Sequence, residues 1–447
     1  MADEWHTETV SELQRDGVIL VEDGNHGEYR PRPSEFVDAG VAFIRAADMD
    51  TGRVLFGSAS KINEPARQRI TKGIGAPGDV LLSHKGTVGK VALVPSDAPP
   101  FVCSPQTTFW RTLDEERLDG RYLYAFLRSP EFRQQLGTRS GETDMAAYVS
   151  LTSQRGLSVT FPPIREQRAI AHILGTLDDK IELNRRMNET LKAMAHALFK
   201  SWFVDFDPVR AKAEGRDPGL PKPLADLFPD RLVDSELGEI PEGWEVGSIL
   251  DRAALISGGT PKTGRSEYWG GVIAWASAKD VSQAAETFLL TTDRTITNKG
   301  LAESSTQLIP ALATVVVARG ATTGRMVMFG IDMAMNQTCY ALASAVGTPF
   351  ALYCHLRQGI GNLVHAAHGS VFDTITTRTW KNSRFVLPPV EVSRCFERTV
   401  LPLFEHILAR SKEARTLTAL RDVLLPELIS GDLRVPDAER IVAEAVR

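Results

Sequence analysis

Cysteine is scarce in this chain. Cys103, Cys339, Cys354 and Cys395 are the four in 447 residues, and no two form a Cys-x-x-Cys pair. That spacing argues against a disulfide framework and against a thiolate zinc site, and it fits a reducing, cytoplasmic setting. The opening stretch "MADEWHTETVSELQ" has no basic region followed by an apolar one, so no secretory signal is expected. No run of about 18 apolar residues occurs, so no membrane span is expected. A strong charge of one sign is also missing, since the formal net charge is −5. Taken alone, that speaks against a nucleic-acid binder.

The distribution of charge changes this reading. From Gly24 to Lys90 there are ten Lys/Arg and seven Asp/Glu, a net of +3, whereas from Val204 to Glu245 there are five against eleven, a net of −6. The acidity is concentrated in the middle of the chain, and the flanking halves retain the means to present basic faces. Hydrophobic residues make up 43% and charged residues 24%, which is ordinary for a globular protein. The length predicts two to four domains.

The chain is written twice. "VLLSHKGTVGKVALV" from Val80 lies over "VVVARGATTGRMVMF" from Val315 at an offset of 235, matching Thr87 with Thr322, Gly89 with Gly324 and Lys90 with Arg325. "SPQTTFW" around Gln106 lies over "MNQTCYA" around Gln337, "FPPI" over "LPPV", and "VAFIRAADM" over "IAWASAKDV", which pairs Asp48 with Asp280. The matches keep their order while the offset drifts, as a duplicated module with small insertions requires. Short apolar runs closed by glycine, such as "GDVLLSHKG" and "TVVVARG", predict buried strands. "DGRYLYAFLRSPEFRQQL" and "TPFALYCHLRQGIGNLV" have helical spacing. Each module is therefore expected to be mixed α and β. The stretch "AKAEGRDPGLPKPLADLFPDRLVDSELGEIPEGWEV" between them reads as an acidic, Pro-rich linker.

Each module ends in a long helix opened by a proline pair, Pro162 and Pro163 in the first and Pro388 and Pro389 in the second. Prolines suit a helix start because a first-turn N–H has no partner to lose. A seam with alternating spacings of four and three runs through Ile170, Leu174, Leu177, Ile181, Asn184, Asn188, Leu191, Ala195 and Leu198. A shift of 226 gives Phe396, Val400, Leu403, Ile407, Arg410, Ala414, Leu417, Arg421 and Leu424 without a gap. Such a stripe buries one helix against another, and polar seam residues (Asn184, Asn188, Arg410) fix register at a cost in stability. Two equal helices of roughly 50 Å most simply pair with each other, antiparallel, relating the modules by a pseudo-two-fold axis. A fixed spacer between two modules is a geometry for reading two DNA half-sites.

Here the residues carry a resemblance. "PPIREQRAIAHILGTLDDKIELNRRMNETLKAMAHALFKSWFVDFDPV" is similar to the central conserved region of specificity subunits of type I restriction–modification enzymes. "LADLFPDRLVDSELGEIPEGWEV" resembles the segment leading into their second half, and "DGNHGEYRPRPSEF…FIRAADM" resembles a first target-recognition domain, so the similarity covers nearly the whole chain. It implies target-recognition domains over 1–163 and 246–389, conserved helices over 164–204 and 390–430, a linker over 205–245 and a C-terminal tail over 431–447. It also implies a non-catalytic subunit that reads a bipartite sequence in double-stranded DNA. Its partners would be two methyltransferase subunits using S-adenosylmethionine, and restriction–translocation subunits using ATP and Mg, with no cofactor or metal in this chain.

Motifs for chemistry in the chain itself fall short. "DAPPF" at Asp97–Phe101 places Ala98 where an adenine methyltransferase needs a side-chain oxygen, and no Gly-x-Gly-x-x-Gly element accompanies it. "SHKGTVGKVA" lacks the first glycine of a phosphate loop and its closing Ser/Thr. "LDDKIEL" lies on the long helix, where charges form a solvated face, and His365 with His368 has no third ligand. A self-sufficient methyltransferase or nuclease would need a cofactor motif; a helical scaffold with no DNA role is the remaining rival. For a binder, affinity comes from Lys and Arg on phosphates and sequence choice from side chains on base edges. The candidates are Arg30, Arg32, Lys61, Arg67, Arg69, Lys72, Lys85, Thr87 and Lys90 in the first module, and Lys262, Arg265, Lys279, Arg319, Thr322 and Arg325 in the second, with Tyr29, Tyr268 and Trp269 as stacking groups. Elements shared by both copies suit backbone contacts, whereas base reading falls to loops that differ, near Arg30 and Lys262.

Overall fold

The computed structural model describes residues 5–24, 27–140, 147–367 and 374–445. The chain forms two compact units, Met1–Lys180 with Thr416–Arg447, and Ile181–Arg415. The division falls inside both long helices, so each unit contains part of each helix.

In the first unit a six-stranded sheet runs in the order Ile19–Asp23, Thr107–Thr112, Val80–Ser83, Val91–Leu93, Arg53–Val54, Met49–Asp50. The second unit has Ala253–Ser257, Cys339–Ser344, Thr314–Val317, Met326–Phe329 and Phe288–Leu289 in the matching order. In both, the first four strands are antiparallel and the next joins in parallel. A smaller sheet also recurs. Val41–Ile44 has Phe101–Cys103 parallel on one side and Lys61–Ile62 antiparallel on the other; Trp269–Ala276 has Ala334–Met335 and Arg294–Ile296 in the same senses. The strands "VLLS" and "TVVV" are buried at every position, as continuous apolar runs require.

Local chemistry repeats as well. Asp48 caps a turn by accepting from the Arg45 N–H at 2.9 Å, and Asp280 accepts from Ser277 at 2.8 Å. Gly24 and Gly258 pack so closely that an added Cβ would lie 1.9 Å from the Ser104 carbonyl oxygen and 2.0 Å from that of Asn336. The mixed α/β modules read from the sequence are therefore a duplicated fold. The strand alignment needs two corrections. Thr107 faces Ser83 as Cys339 faces Val317, so Gln106 is level with Thr338, not Gln337. Backbone pairing places Val80 level with Thr314, not Val315, because Leu82 faces Val91 while Val316 faces Met326. The second hairpin loop carries one extra residue, so the offset is 234 before it and 235 after. The distinction matters because a one-residue slip turns every strand side chain to the other face.

The long helices span Ile164–Phe203 and Val390–Ser430. Both proline pairs stand just outside them, which corrects their placement in the first turn. The Pro163 carbonyl accepts from Glu166 and Gln167, and that of Pro389 from Val392 and Ser393. The predicted seam residues lie on the covered faces: Ile170, Leu174, Leu177, Asn184, Ala195, Phe396, Val400, Ile407, Leu417 and Leu424 are buried, and Ile181, Asn188, Leu191, Leu198, Leu403, Arg410, Ala414 and Arg421 are half-buried. In the second unit the helices pair antiparallel: Asn184 Nδ2 donates to Glu413 at 2.9 Å, Asn188 Nδ2 to Ser411 Oγ at 3.2 Å, and the Phe203 and Phe396 rings lie 5.1 Å apart. In the first unit Asp178 joins Arg421 and Arg128, each at 2.7 Å.

The acidic segment after Phe203 is not a loose linker. Helices Asp207–Ala213 and Lys222–Ala225 and a hairpin of Leu232–Ser235 with Gly238–Pro241 fold it against the second unit. Its apolar residues Phe206, Val209, Phe228, Ile240 and Trp244 are buried in one core with Phe199, Trp202, Phe203 and Phe396. Proline and charge suggested a solvated chain, but the aromatic residues interleaved with them bury enough surface to offset the ordering entropy. The tail likewise contains a helix, Val435–Ala445. Among the described residues no helix is long and apolar enough to cross a membrane.

Glu397 on the second long helix accepts from the Phe350 and Ala351 N–H groups at 3.2 and 2.9 Å, at the start of helix Pro349–Ala367. Burial outweighs these bonds and pushes its carboxyl up to about 7.

Two outcomes follow for stability. Phe203→Ala should cost on the order of 3–5 kcal/mol in denaturant unfolding, whereas Leu183→Ala, at an exposed position of the same helix, should stay within about 0.5 kcal/mol; equal effects would show that the aromatic cluster is not an anchor. Because the folded pKa of Glu397 lies above its ordinary value, the folded state binds the proton more tightly. Its contribution is complete below about pH 4.5 and is lost as pH rises through about 7. The second unit's unfolding midpoint should fall between pH 5 and 8, and Glu397→Gln should flatten that fall; an unchanged slope would contradict the assignment.

Candidate nucleic-acid interface

In the first unit, the hairpin loop between Val80–Ser83 and Val91–Leu93 is pinned by His84. This buried ring pairs through Nδ1 with the Val149 carbonyl at 2.9 Å, and the Val149 N–H returns a bond to the His84 carbonyl. The loop tip is thereby held outward, with Lys85 and Thr87 exposed and the Lys85 ammonium 5.7 Å from the Tyr148 ring centre. Gly89, at φ +95°, closes the turn in a conformation that a side chain would strain. Lys90 serves the fold: its ammonium donates to the Ala46 and Met49 carbonyls at 3.1 and 2.8 Å. In the second unit the equivalent loop presents Arg319, Thr322 and Arg325, all exposed, and closes at Gly324, φ +89°. Arg319 bridges Thr374 as Lys85 bridges Tyr148. The matched pair Lys90 and Arg325 thus diverges, with one cation committed to carbonyls and the other facing solvent.

A second group surrounds the smaller sheet. Arg30, Arg32 and Tyr29 are exposed on the approach to Phe36. Glu35 shapes this approach by accepting from the Arg32 N–H at 2.7 Å and from the two terminal Arg69 nitrogens at 2.8 and 2.6 Å. The Arg69 guanidinium and the Arg32 amide hold its carboxyl down to about 2. Arg69 is accordingly matched by a carboxylate and orders the segment that displays Arg30 and Arg32. Lys61 is half-buried on the adjoining strand, Arg67 donates to the Ile70 carbonyl at 3.4 Å, and Lys72 is exposed.

In the second unit Lys262 and Arg265 are exposed in the loop leading to Trp269. Arg265 donates to Tyr268 Oη at 2.8 Å, and that hydroxyl donates to Glu303 at 2.7 Å, which raises the tyrosine pKa. Lys279 pairs with Asp293 at 2.7 Å, both well exposed. A solvated pair of this kind is weak and exchanges readily for a phosphate.

Arg294 is a further candidate absent from the sequence reading. Its guanidinium lies 3.5 Å from the Trp269 ring centre and 5.8 Å from that of Trp275. The residues are about twenty apart in sequence, and only the pairing of Trp275 with Arg294 brings them together. Gln106 and Gln337, both exposed after equivalent strands, are further candidates as adenine readers, carried by the "PQT" and "NQT" stretches of the sequence.

Motifs set aside for chemistry have structural partners. Asp179 joins Arg121 at 3.0 Å, and Asp178 is held by two arginines. Among the described residues no group of three His, Cys, Asp or Glu side chains is placed to hold a metal; His368 lies outside the described residues.

Comparison with known proteins agrees with the duplication. The family model for the type I restriction modification DNA specificity domain matches residues 29–193 and again 241–393. The chain is 28% identical, over 88% of its length and 94% of the relative's, to the type I restriction enzyme HindI specificity subunit of Haemophilus influenzae. It is 24% identical, over 84% and 82%, to the MjaIX specificity subunit of Methanocaldococcus jannaschii. A crystal structure of a type I restriction-modification S subunit from M. genitalium shares the fold at a TM-score of 0.58, with 14% identity over 95% of this chain and 96% of that one. With both of its modules matched by the same domain model, this chain belongs to the type I restriction–modification DNA specificity family.

Proposed function

We propose that the chain reads a bipartite DNA sequence, one half-site per target-recognition domain, and that its paired helices set the gap between the halves. The observation that carries this reading is the antiparallel register of the two helices in the second unit, through Asn184 with Glu413 and Asn188 with Ser411. Polar partners inside an apolar seam penalise any slip, because a slipped register leaves buried polar groups unpaired. Exposed cations recur in each domain: Arg30, Arg32 and Lys85 in the first, and Lys262, Arg265, Arg319 and Arg325 in the second. Lys61, Arg69, Thr87, Lys90, Lys279 and Thr322 complete the proposed surface, with Arg69 and Lys90 acting through the fold.

In this reading the chain makes and breaks no bonds. It acts as a scaffold for two methyltransferase subunits that take S-adenosylmethionine, and for restriction–translocation subunits that take ATP and Mg. The relatives' names as specificity subunits support such an assembly.

Adding one heptad to each helix at facing positions, between Asn188 and Leu191 and between Ile407 and Arg410, should widen the tolerated gap by about three base pairs, given 1.5 Å per helical residue and 3.4 Å per base-pair step. Mapping methylated adenines in cells carrying the modified complex measures this; altered half-sites at an unchanged gap would sink the spacer role. In the assembled complex, Lys262→Ala and Arg30→Ala should each reduce the slope of log affinity against log salt by about 1. Lys90→Met should instead lower the melting temperature. A reduced salt slope without loss of stability in Lys90→Met would overturn the division of labour among these cations.

A further inference from the structure

The geometry points to Val272 as a base-reading residue of the second domain, one that meets the 5-methyl group of a thymine in the major groove. This rests on the DNA-reading role proposed above. Val272 is 90% exposed, the most exposed large hydrophobic side chain among the described residues. Exposure of a lone valine is common and proves nothing by itself. What distinguishes this one is how the backbone presents it.

Trp269 and Ile273 both face Ile296 across the strand pair, so Gly270, Gly271 and Val272 are thrown out as a bulge. Gly270 takes φ +78°. Gly271 sits directly on the neighbouring strand, where an added Cβ would lie 2.5 Å from the Ile296 carbonyl oxygen and from the Thr297 Cα. The two glycines make a tight, seated bulge with the valine at its tip, and bulges of this kind re-aim a side chain. On the same strand, the Trp269 and Trp275 rings meet edge to face at 5.1 Å, and Arg294 lies across Trp269. Trp269 Nε1 donates to the Lys262 carbonyl at 3.3 Å, which fixes the loop bearing Lys262 and Arg265 to the same ribbon. Ala334–Met335 pairs with Trp275 and Ala276, so the end of the sheet that carries the bulge is a two-stranded antiparallel ribbon; such a ribbon fits the major groove, where the thymine methyl is the apolar feature a short branched side chain can read.

The first domain has a different connection at the equivalent place. Phe36–Val37 and Val41–Ile44 pair with opposite sides of Lys61–Ile62, and Asp38, Ala39 and Gly40 carry the chain from one side to the other. Gly40 rests on the Ile62 carbonyl as Gly271 rests on that of Ile296, with an added Cβ 2.2 Å away. A glycine seated on a strand carbonyl is common to both domains and the connection it supports is not, as two unlike half-sites require.

The test uses the chain assembled with its methyltransferase subunits. Each thymine of the second half-site is replaced in turn by deoxyuridine, which removes only the methyl. The wild-type complex should lose about fourfold in affinity at one position, the worth of one buried methyl group, and nothing at the first half-site. Val272→Ala should bind about fourfold more weakly to the intact site and be indifferent to that replacement, with an unchanged melting temperature. The inference is overturned if wild type ignores every methyl, if the second half-site holds no thymine, or if Val272→Ala keeps the wild-type sensitivity. It is also overturned if Val272→Asp abolishes assembly with the methyltransferase while leaving base preference intact, since Val272 would then be a protein contact. Failure of the wild-type complex to bind DNA with any sequence preference would instead refute the DNA-reading function itself.

Discussion

Register between the two long helices is the constraint on which the rest depends. In the second unit, contacts step along the pair from Phe203 with Phe396 to Asn188 with Ser411 and Asn184 with Glu413, one number rising as the other falls. The apolar seam supplies most of the attraction but is poor at choosing among heptad registers, because leucine against leucine is equally content one repeat away. The asparagines make the choice. Asn184 is buried, and its amide has a partner only where Glu413 stands opposite. The aromatic core around Phe199, Trp202 and Phe203 then clamps one end of the pair, and the acidic segment after Phe203 closes over it.

Around that pair the duplicated domains share a scaffold and differ in what they display. Shared features are those that shape the backbone: sheet order, the capping carboxylates of Asp48 and Asp280, and glycines that turn the hairpins or rest on a neighbouring strand. Divergence begins at the side chains. Lys90 is drawn inward onto two carbonyls while Arg325 stays in solvent. Arg69 is matched bidentately by Glu35, whereas Arg294 lies on a tryptophan face and keeps its donors available around the rim. A common ancestor fold thus carries two separately tuned surfaces.

The long helices were legible to within a residue, because forty residues of unbroken periodicity under a proline pair admit few alternatives. The duplication was legible too, through glycines and strand runs whose spacing the backbone dictates. The segment from 205 to 245 was not. Its prolines and carboxylates dominate the composition, while Phe206, Phe228, Ile240 and Trp244 are spaced without a period and acquire meaning only against Phe396, more than 150 residues later. The strand register went astray by one residue because valine follows valine in "TVVV", and only the pairing partner tells one from the next. Which cations face solvent was hidden for a related reason: Lys85 and Lys90 look alike in the sequence, and the carbonyls that claim Lys90 come from forty residues upstream.

This division explains how such a chain can change what it reads without losing its fold. The bulge around Val272 is supported by glycine backbone resting on the carbonyl of Ile296 and not by core side chains, so its tip can be exchanged at a cost of about 0.5 kcal/mol or less, as for other exposed sites. The same change at Phe203 or Asn184 would open a cavity or strand a buried polar group, each worth several times as much. On the proposed reading, specificity resides where folding free energy is nearly flat, and spacing where it is steep. Substitution at the bulge should accumulate far more readily than substitution in the seam, and the two properties can vary independently because the bulge and the seam share no residue.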